Sequence, residues 1–179
     1  MDRIFSVADE DWNKLKMAIN WLYTLRGIPQ LYYGTEVLMK NRKTTTDAMV
    51  REDFPGGWPG DAASKNLFTT AGRNVQQQMA FTHFSRLGQF RKSSSAIGSG
   101  QMMQYIPQDG LYLYFRYDTK QTVLVIANTG EKKVTPNWSL YKERVKEFTK
   151  LRDVISGAIS SLEELTVSPG ESFVFELQR

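Results

Sequence analysis

In "DAMVR", Asp47 and Arg51 stand four positions apart, and their chemistry is complementary. A carboxylate only accepts hydrogen bonds and a guanidinium only donates them, so together they suit two adjacent hydroxyls. Turned on each other instead, they form an ion pair that orders a loop. Other chemistry-bearing residues are sparse. There is one histidine and no cysteine, so thiolate metal sites and disulfides are excluded. His83 falls within the apolar half of a predicted helix and reads as a core or interface histidine rather than a catalyst. Glu36 ends an apolar run and reads as a structural carboxylate anchoring the loop that follows. Asp53 and Asp61 bracket "FPGGWPG", where carboxylates either accept from hydroxyls or cap turns. No cofactor and no metal are called for.

Those residues need a scaffold, and the composition can supply one. Of 179 residues, 41% are hydrophobic and 23% charged, which favours a packed core over disorder. The net charge of +4 is scattered, densest at Lys40–Lys43 and Lys132-Lys133. A nucleic-acid surface needs a basic stripe interleaved with stacking aromatics, so no nucleic-acid partner is expected. No apolar run approaches the roughly 18 residues of a membrane span, so no membrane partner is expected either.

Periodicity predicts a helix over 9–26, with Trp12, Leu15, Ile19, Leu22 and Leu25 recurring at helical spacing. Asp9, Glu10 and Asp11 would lie in its first turn, and Gly27 with Pro29 would end it. "GIPQLYYG" follows almost at once. Apolar on both faces, it predicts a buried parallel strand over 28–34. Residues 35–74 form a long irregular stretch, and a second helix is predicted over 75–92. Past Ser93-Ser94-Ser95 the chain turns β-rich. "MMQYI" and "LYLYFRY" flank an Asp109-Gly110 hairpin signal, followed by "TVLVIAN", runs around Val134 and Val154-Ile155, and "SFVFEL". This pattern predicts an antiparallel sandwich. Tyr112, Tyr114 and Tyr117 read as sheet packing rather than a ligand platform.

Gly27-Ile28-Pro29-Gln30-Leu31-Tyr32-Tyr33-Gly34-Thr35-Glu36 resembles the eighth-strand segment of the alpha-amylase superfamily, glycoside hydrolase family 13. "REDFPGGWPGD", "NLFTTAGR" and "FRKSSSAIGSGQ" are similar to its cyclomaltodextrinase and neopullulanase branch. The later "LYKERV", "DVISG" and "VSPGESFVFEL" are similar to the β domain that closes such enzymes. The resemblance implies an α+β fragment: the last βα portion of a (β/α)8 TIM barrel, then an all-β antiparallel sandwich. Residues 1–95 would hold helix 7, strand 8, a long loop and helix 8, and residues 96–179 the C-terminal β domain.

It also implies a retaining α-glucan hydrolase as the parent, acting on maltodextrin, cyclodextrin or pullulan in a bacterial cytoplasm or periplasm. That mechanism needs two carboxyl groups about 5–5.5 Å apart. In the family they follow strands four and five, upstream of the segments matched here. A third, in "N-H-D-x-x-R", would fall one residue before Met1, with Arg3 as the closing arginine and Asp2 out of register. No catalytic residue is therefore expected in this chain, and the chain alone is expected to be inactive. The substrate-binding candidates are Asp47 and Arg51 as a sugar-contacting pair, Arg3, and Trp58, which with Phe54 would stack on sugar rings. With strand 8 lacking its barrel neighbours, residues 1–92 would be partly disordered, paired with a second copy as a homodimer, or folded back over the β domain. A different reading is a non-catalytic carbohydrate-binding or structural β module.

Overall fold

The structure, a computed structural model, describes residues 2–179. Helix α1 spans Ile4–Val7 and α2 spans Trp12–Thr24. Asp9 and Glu10 both take positive φ, at 58°, so they form the turn ahead of α2 rather than its first turn. Asp11 is the cap: its carboxylate accepts from the backbone N–H of Asn13 at 2.7 Å and of Lys14 at 3.4 Å. Helix α3 spans Val75–Ser93 and opens with a reciprocal cap. There the Asn74 side chain accepts from Gln77 N–H at 2.8 Å, and the Gln77 side chain from Asn74 N–H at 3.0 Å.

The strand expected over 28–34 does not form. Residues 28–32 have no regular structure, and Thr35–Val37 close a short 3-10 turn. Ile28 is 97% exposed, and Tyr32 and Tyr33 are also exposed. A strand exists only as part of a hydrogen-bonded ladder, and among the described residues none runs beside this segment. Pro29 removes one donor as well.

The chain divides into two compact units, Met1–Leu15 with Pro29–Ser85, and Lys16–Ile28 with Arg86–Arg179. The first is built from short 3-10 turns, extended loops and the N-terminal part of α3, with Val37, Val50, Leu67, Ala80 and Phe84 buried. His83 is buried there too, its ring edge-on to Trp12 at 5.5 Å.

The second unit is organised by one six-stranded antiparallel sheet. Its strands are β1 (Gln101–Gln104), β2 (Leu111–Tyr117), β3 (Thr122–Asn128), β4 (Lys150–Asp153), β5 (Ile159–Ser161) and β6 (Ser172–Gln178). Their order across the sheet is β1-β2-β3-β6-β4-β5. The predicted sandwich is thus a single sheet whose second layer is not a sheet. One face carries Leu111, Leu113, Phe115, Leu124, Ile126, Phe175 and Leu177. It packs against Tyr141, Val145, Leu162 and Val167 from turns and the short helix α5 (Lys142–Val145). Non-strand segments suffice because a sheet face needs apolar cover, not a second ladder. Val134 and Val167 form an isolated bridge within that layer.

The β2 approach is a two-residue turn with positive φ at both Asp109 (52°) and Gly110 (79°), the type I′ geometry that matches strand twist. A Cβ on Gly110 would stand 2.5 Å from Gly130 Cα, so only glycine fits.

The opposite sheet face is covered by residues 16–24 of α2 and by helix α4 (Ser95–Gly98). Asn20 Nδ2 donates to Ser172 Oγ at 3.0 Å, and Thr24 and Tyr114 share a hydroxyl pair at 2.6 Å. Burial pushes the Tyr114 phenol well above its ordinary pKa. At the centre of this face lies Arg116, only 2% exposed. Its guanidinium donates to the carbonyls of Thr24 (2.8 Å), Ile97 (2.7 Å), Gly100 (3.2 Å) and Gln101 (3.3 Å). Those oxygens include the last, unsatisfied ones of α2 and α4, where helix dipoles favour a cation. Burial lowers the Arg116 pKa, and Arg26 and Arg91 push the same way.

Removing this side chain would leave several buried carbonyls without donors. Arg116→Ala is expected to lose about 3 kcal/mol or more in urea unfolding. The melting temperature is expected to fall by about 10 °C. Arg116→Lys, with one point charge in place of a fork, is expected to recover only part.

Candidate functional site

The site predicted around Asp47 is assembled by four short segments of the first unit. A 3-10 turn, Asp47–Val50, is held down by buried Val50 and sets Asp47 and Arg51 at its two ends. Arg51 Nη2 lies 3.1 Å from Asp47 Oδ2, and Lys43 Nζ lies 2.8 Å from Asp47 Oδ1. The carboxylate is thus held between two cations, and its pKa is lowered, first by Lys43 and then by Arg51. All three side chains reach solvent, so the triad can trade a mutual contact for a ligand at low cost.

Arg3 meets this loop from the N-terminal segment. It is 4% exposed, with its guanidinium carbon 4.7 Å from the ring centres of both Tyr32 and Tyr33. Its Nη1 donates to the Tyr33 carbonyl at 2.5 Å, and its backbone N–H donates to Asn41 O at 3.1 Å. Nη2 is buried with no hydrogen-bond partner among the described residues. The Tyr33 hydroxyl donates to Glu52 O at 2.7 Å, and Lys43 N–H donates to Asp2 Oδ1 at 2.8 Å. Segment 41–52 is in this way tied to residues 2–3 and 32–33. Hydrogen bonding with Tyr33 raises the Tyr32 pKa, while the charges of Arg3 and Arg51 pull it down.

Asp47, Arg51 and Arg3 therefore share one neighbourhood, the first two open and the third enclosed. Trp58 stands apart in the turn that follows Pro55, 62% exposed, with no hydrogen bond or ring contact to that group among the described residues. Its backbone N–H donates to Asp61 Oδ2 at 2.9 Å, so Asp61 caps that turn. Phe54 is partly buried and packs on Phe68, ring centres 4.3 Å apart. Glu36 lies in the 3-10 turn after Gly34, one carboxylate oxygen buried without a partner among the described residues. No group of three or more His, Cys, Asp or Glu side chains among the described residues is placed to hold a metal.

The second unit carries a separate cleft of ≈ 750 Å³, lined by the β2–β3 turn (118–122), residues 143–148 and the end of β6. Asp118 pins the turn by accepting from Lys120 and Gln121 N–H at 2.7 and 2.8 Å. Glu176 pairs with Arg152 and accepts from Gln121 at 2.5 Å. Arg144 lies over the Tyr117 ring at 3.9 Å. Sequence reasoning did not anticipate this cleft, because its lining comes from three separated segments with no shared pattern.

Residues 102–176 match the family model described as the Cyclo-malto-dextrinase C-terminal domain. An alpha-amylase from Niallia circulans is 29% identical over 140 residues, 78% of this chain and 22% of that protein. Residues 102–176 are thus similar to the C-terminal domain of alpha-amylase family enzymes. A cyclomaltodextrin glucanotransferase from Geobacillus stearothermophilus is 28% identical over 128 residues, 72% of this chain and 15% of that protein. The chain thus spans about a fifth or less of these relatives. Similar folds include the Thermus thermophilus protein Ttha1563, with a TM-score of 0.72 and 19% identity over 99% of this chain and 34% of that one. An alpha-amylase from Geobacillus thermoleovorans complexed with acarbose has a TM-score of 0.66 and 17% identity, over 97% of this chain and 35% of that one.

The Asp47 arrangement makes a pH-dependent prediction. A carboxyl whose folded pKa is depressed contributes stability above its unfolded value and loses it as pH falls through the folded one. Lys43→Gln is therefore expected to raise the Asp47 midpoint toward the ordinary carboxylate value, read by carbon-detected NMR titration. An unmoved midpoint would show that Lys43 does not hold Asp47 in solution.

Proposed function

We propose that this chain is the C-terminal part of an α-glucan-hydrolysing glycosidase of the retaining, cyclomaltodextrinase and neopullulanase type. The observation that carries this reading is one chain holding both the "GIPQLYYGTE" segment and a β unit that matches the Cyclo-malto-dextrinase C-terminal domain. In this reading residues 1–95 complete the parent's (β/α)8 barrel and residues 96–179 form its closing β domain. Residues 28–34 become the eighth strand once parallel neighbours supply a ladder. The nucleophile and the acid/base are contributed by other parts of the parent. Maltodextrin, cyclodextrin or pullulan is the substrate.

Within this chain, Asp47 and Arg51 serve as a donor–acceptor pair for vicinal sugar hydroxyls. Their exposure and their separate bonding to one another support that role, since both can be re-used without unpacking the fold. Arg3, clamped by Tyr32 and Tyr33, holds the backbone beneath them. Trp58 offers an exposed ring nearby in sequence. The chain by itself is expected to release no reducing sugar from cyclodextrin, pullulan or maltotriose, at any enzyme concentration up to about 0.1 mM. Measurable turnover would overturn the absence of catalytic groups.

A second reading is a non-catalytic carbohydrate-binding β module, favoured by the ≈ 750 Å³ polar cleft. The two readings separate by nuclear magnetic resonance titration of the chain with maltotriose. Shifts confined to 41–68 support the first, and shifts confined to 118–122 and 143–148 support the second.

A further inference from the structure

A single apolar ring at a protein surface is ordinary, and what sets Phe68 apart is how firmly it is held. It is 61% exposed, yet its backbone is fixed on every side. Phe68 N–H donates to Asn66 Oδ1 at 3.0 Å, and Leu67 N–H donates to Pro55 O at 3.0 Å. Arg73 donates to Leu67 O at 2.8 Å and to Phe68 O at 2.9 Å. The Arg73 guanidinium is itself braced, 3.6 Å from the Phe81 ring centre and bonded to Gln78 Oε1 at 2.9 Å. Both braces come from α3, so a helix fixes the position of this exposed ring.

The ring is supported from beneath as well. Phe54 packs against it at 4.3 Å and 39°. Gly57, at φ 92°, brings the "FPGGW" backbone so close that a Cβ there would stand 3.1 Å from the Phe68 ring. The result is a two-ring shelf, its lower ring partly buried and its upper ring open to solvent. Trp58, the next residue after Gly57, is equally exposed. A rigid aromatic surface of this kind suits a ligand with one flat apolar face and hydrogen-bonding edges. A pyranose ring has that form: C–H bonds crowd one face and hydroxyls ring the perimeter.

We propose that Phe68 is the stacking platform for a glucose unit of an α-1,4-glucan, with Phe54 as its support. This rests on the α-glucan reading above and adds to it a specific residue and contact. Phe68 would read sugar shape through its ring face, separately from the hydroxyl pairing assigned to Asp47 and Arg51.

Isothermal titration calorimetry of the full chain with maltoheptaose tests the assignment, using wild type, Phe68→Ala and Phe68→Trp. Alanine is expected to weaken binding by about tenfold, and tryptophan to restore it to within about twofold. Because the ring is exposed, the melting temperature of Phe68→Ala should stay within about 2 °C of wild type, which separates lost stacking from lost folding. Wild-type binding that is unchanged in Phe68→Ala overturns the platform and leaves the glucan reading standing. No wild-type binding overturns the platform together with glucan binding by this chain. A change in self-association by light scattering, with affinity unchanged, overturns it by making Phe68 a contact between copies.

Discussion

A single guanidinium bonded to backbone carbonyls ties the helical layer of the β unit to its sheet. Arg116 satisfies backbone oxygens at the ends of α2 and α4 and at the start of β1, all from a side chain rooted in β2. A carboxylate in its place would face like partial charges, and an apolar residue would leave those oxygens bare. Arg91 repeats the solution one turn away, donating to Tyr23 O at 2.6 Å and Gly27 O at 2.6 Å. Two arginines thus replace the C-terminal capping that Gly27 alone cannot complete. The geometry is directional, because a planar fork accepts few arrangements of four oxygens. That directionality fixes how the helical layer registers on the sheet, which apolar contact alone would leave loosely defined.

The legible parts of the fold were those governed by local rules. Asp109-Gly110 announces a two-residue turn, and the turn has the expected positive φ at both positions. "LYLYFRY", "TVLVIAN" and "SFVFEL" alternate or run apolar as β2, β3 and β6. β5 was invisible because "ISS" is three residues with no apolar alternation, defined only by its pairing with β4. The error over 28–34 has the same origin in reverse. Ile28, Leu31, Tyr32 and Tyr33 describe what a central strand looks like, but a strand also requires neighbours, which composition cannot supply. The sandwich expectation failed because alternation shows that a face is covered without showing what covers it.

The candidate site was legible as a pair and illegible as a setting. Asp47 and Arg51 are four apart, and one short turn brings them together. Arg3 lies more than forty positions away, and nothing in its local sequence indicates the tyrosine clamp. Phe68 escaped notice because "NLFTT" has no periodicity. Its significance comes from Arg73 and Phe54, which only the folded chain brings to it.

Residues 16–28 belong to the same compact unit as the sheet, although more than seventy residues separate them from β1 in sequence. The module that is continuous on the gene is therefore not the module that is continuous in space. Recombination that exchanged residues 96–179 between related enzymes would import a sheet whose Tyr114, Arg116 and Ser172 must find Thr24 and Asn20 already waiting in the recipient. Inheritance of this β domain is thereby coupled to a helix far upstream, and drift in either is constrained by the other.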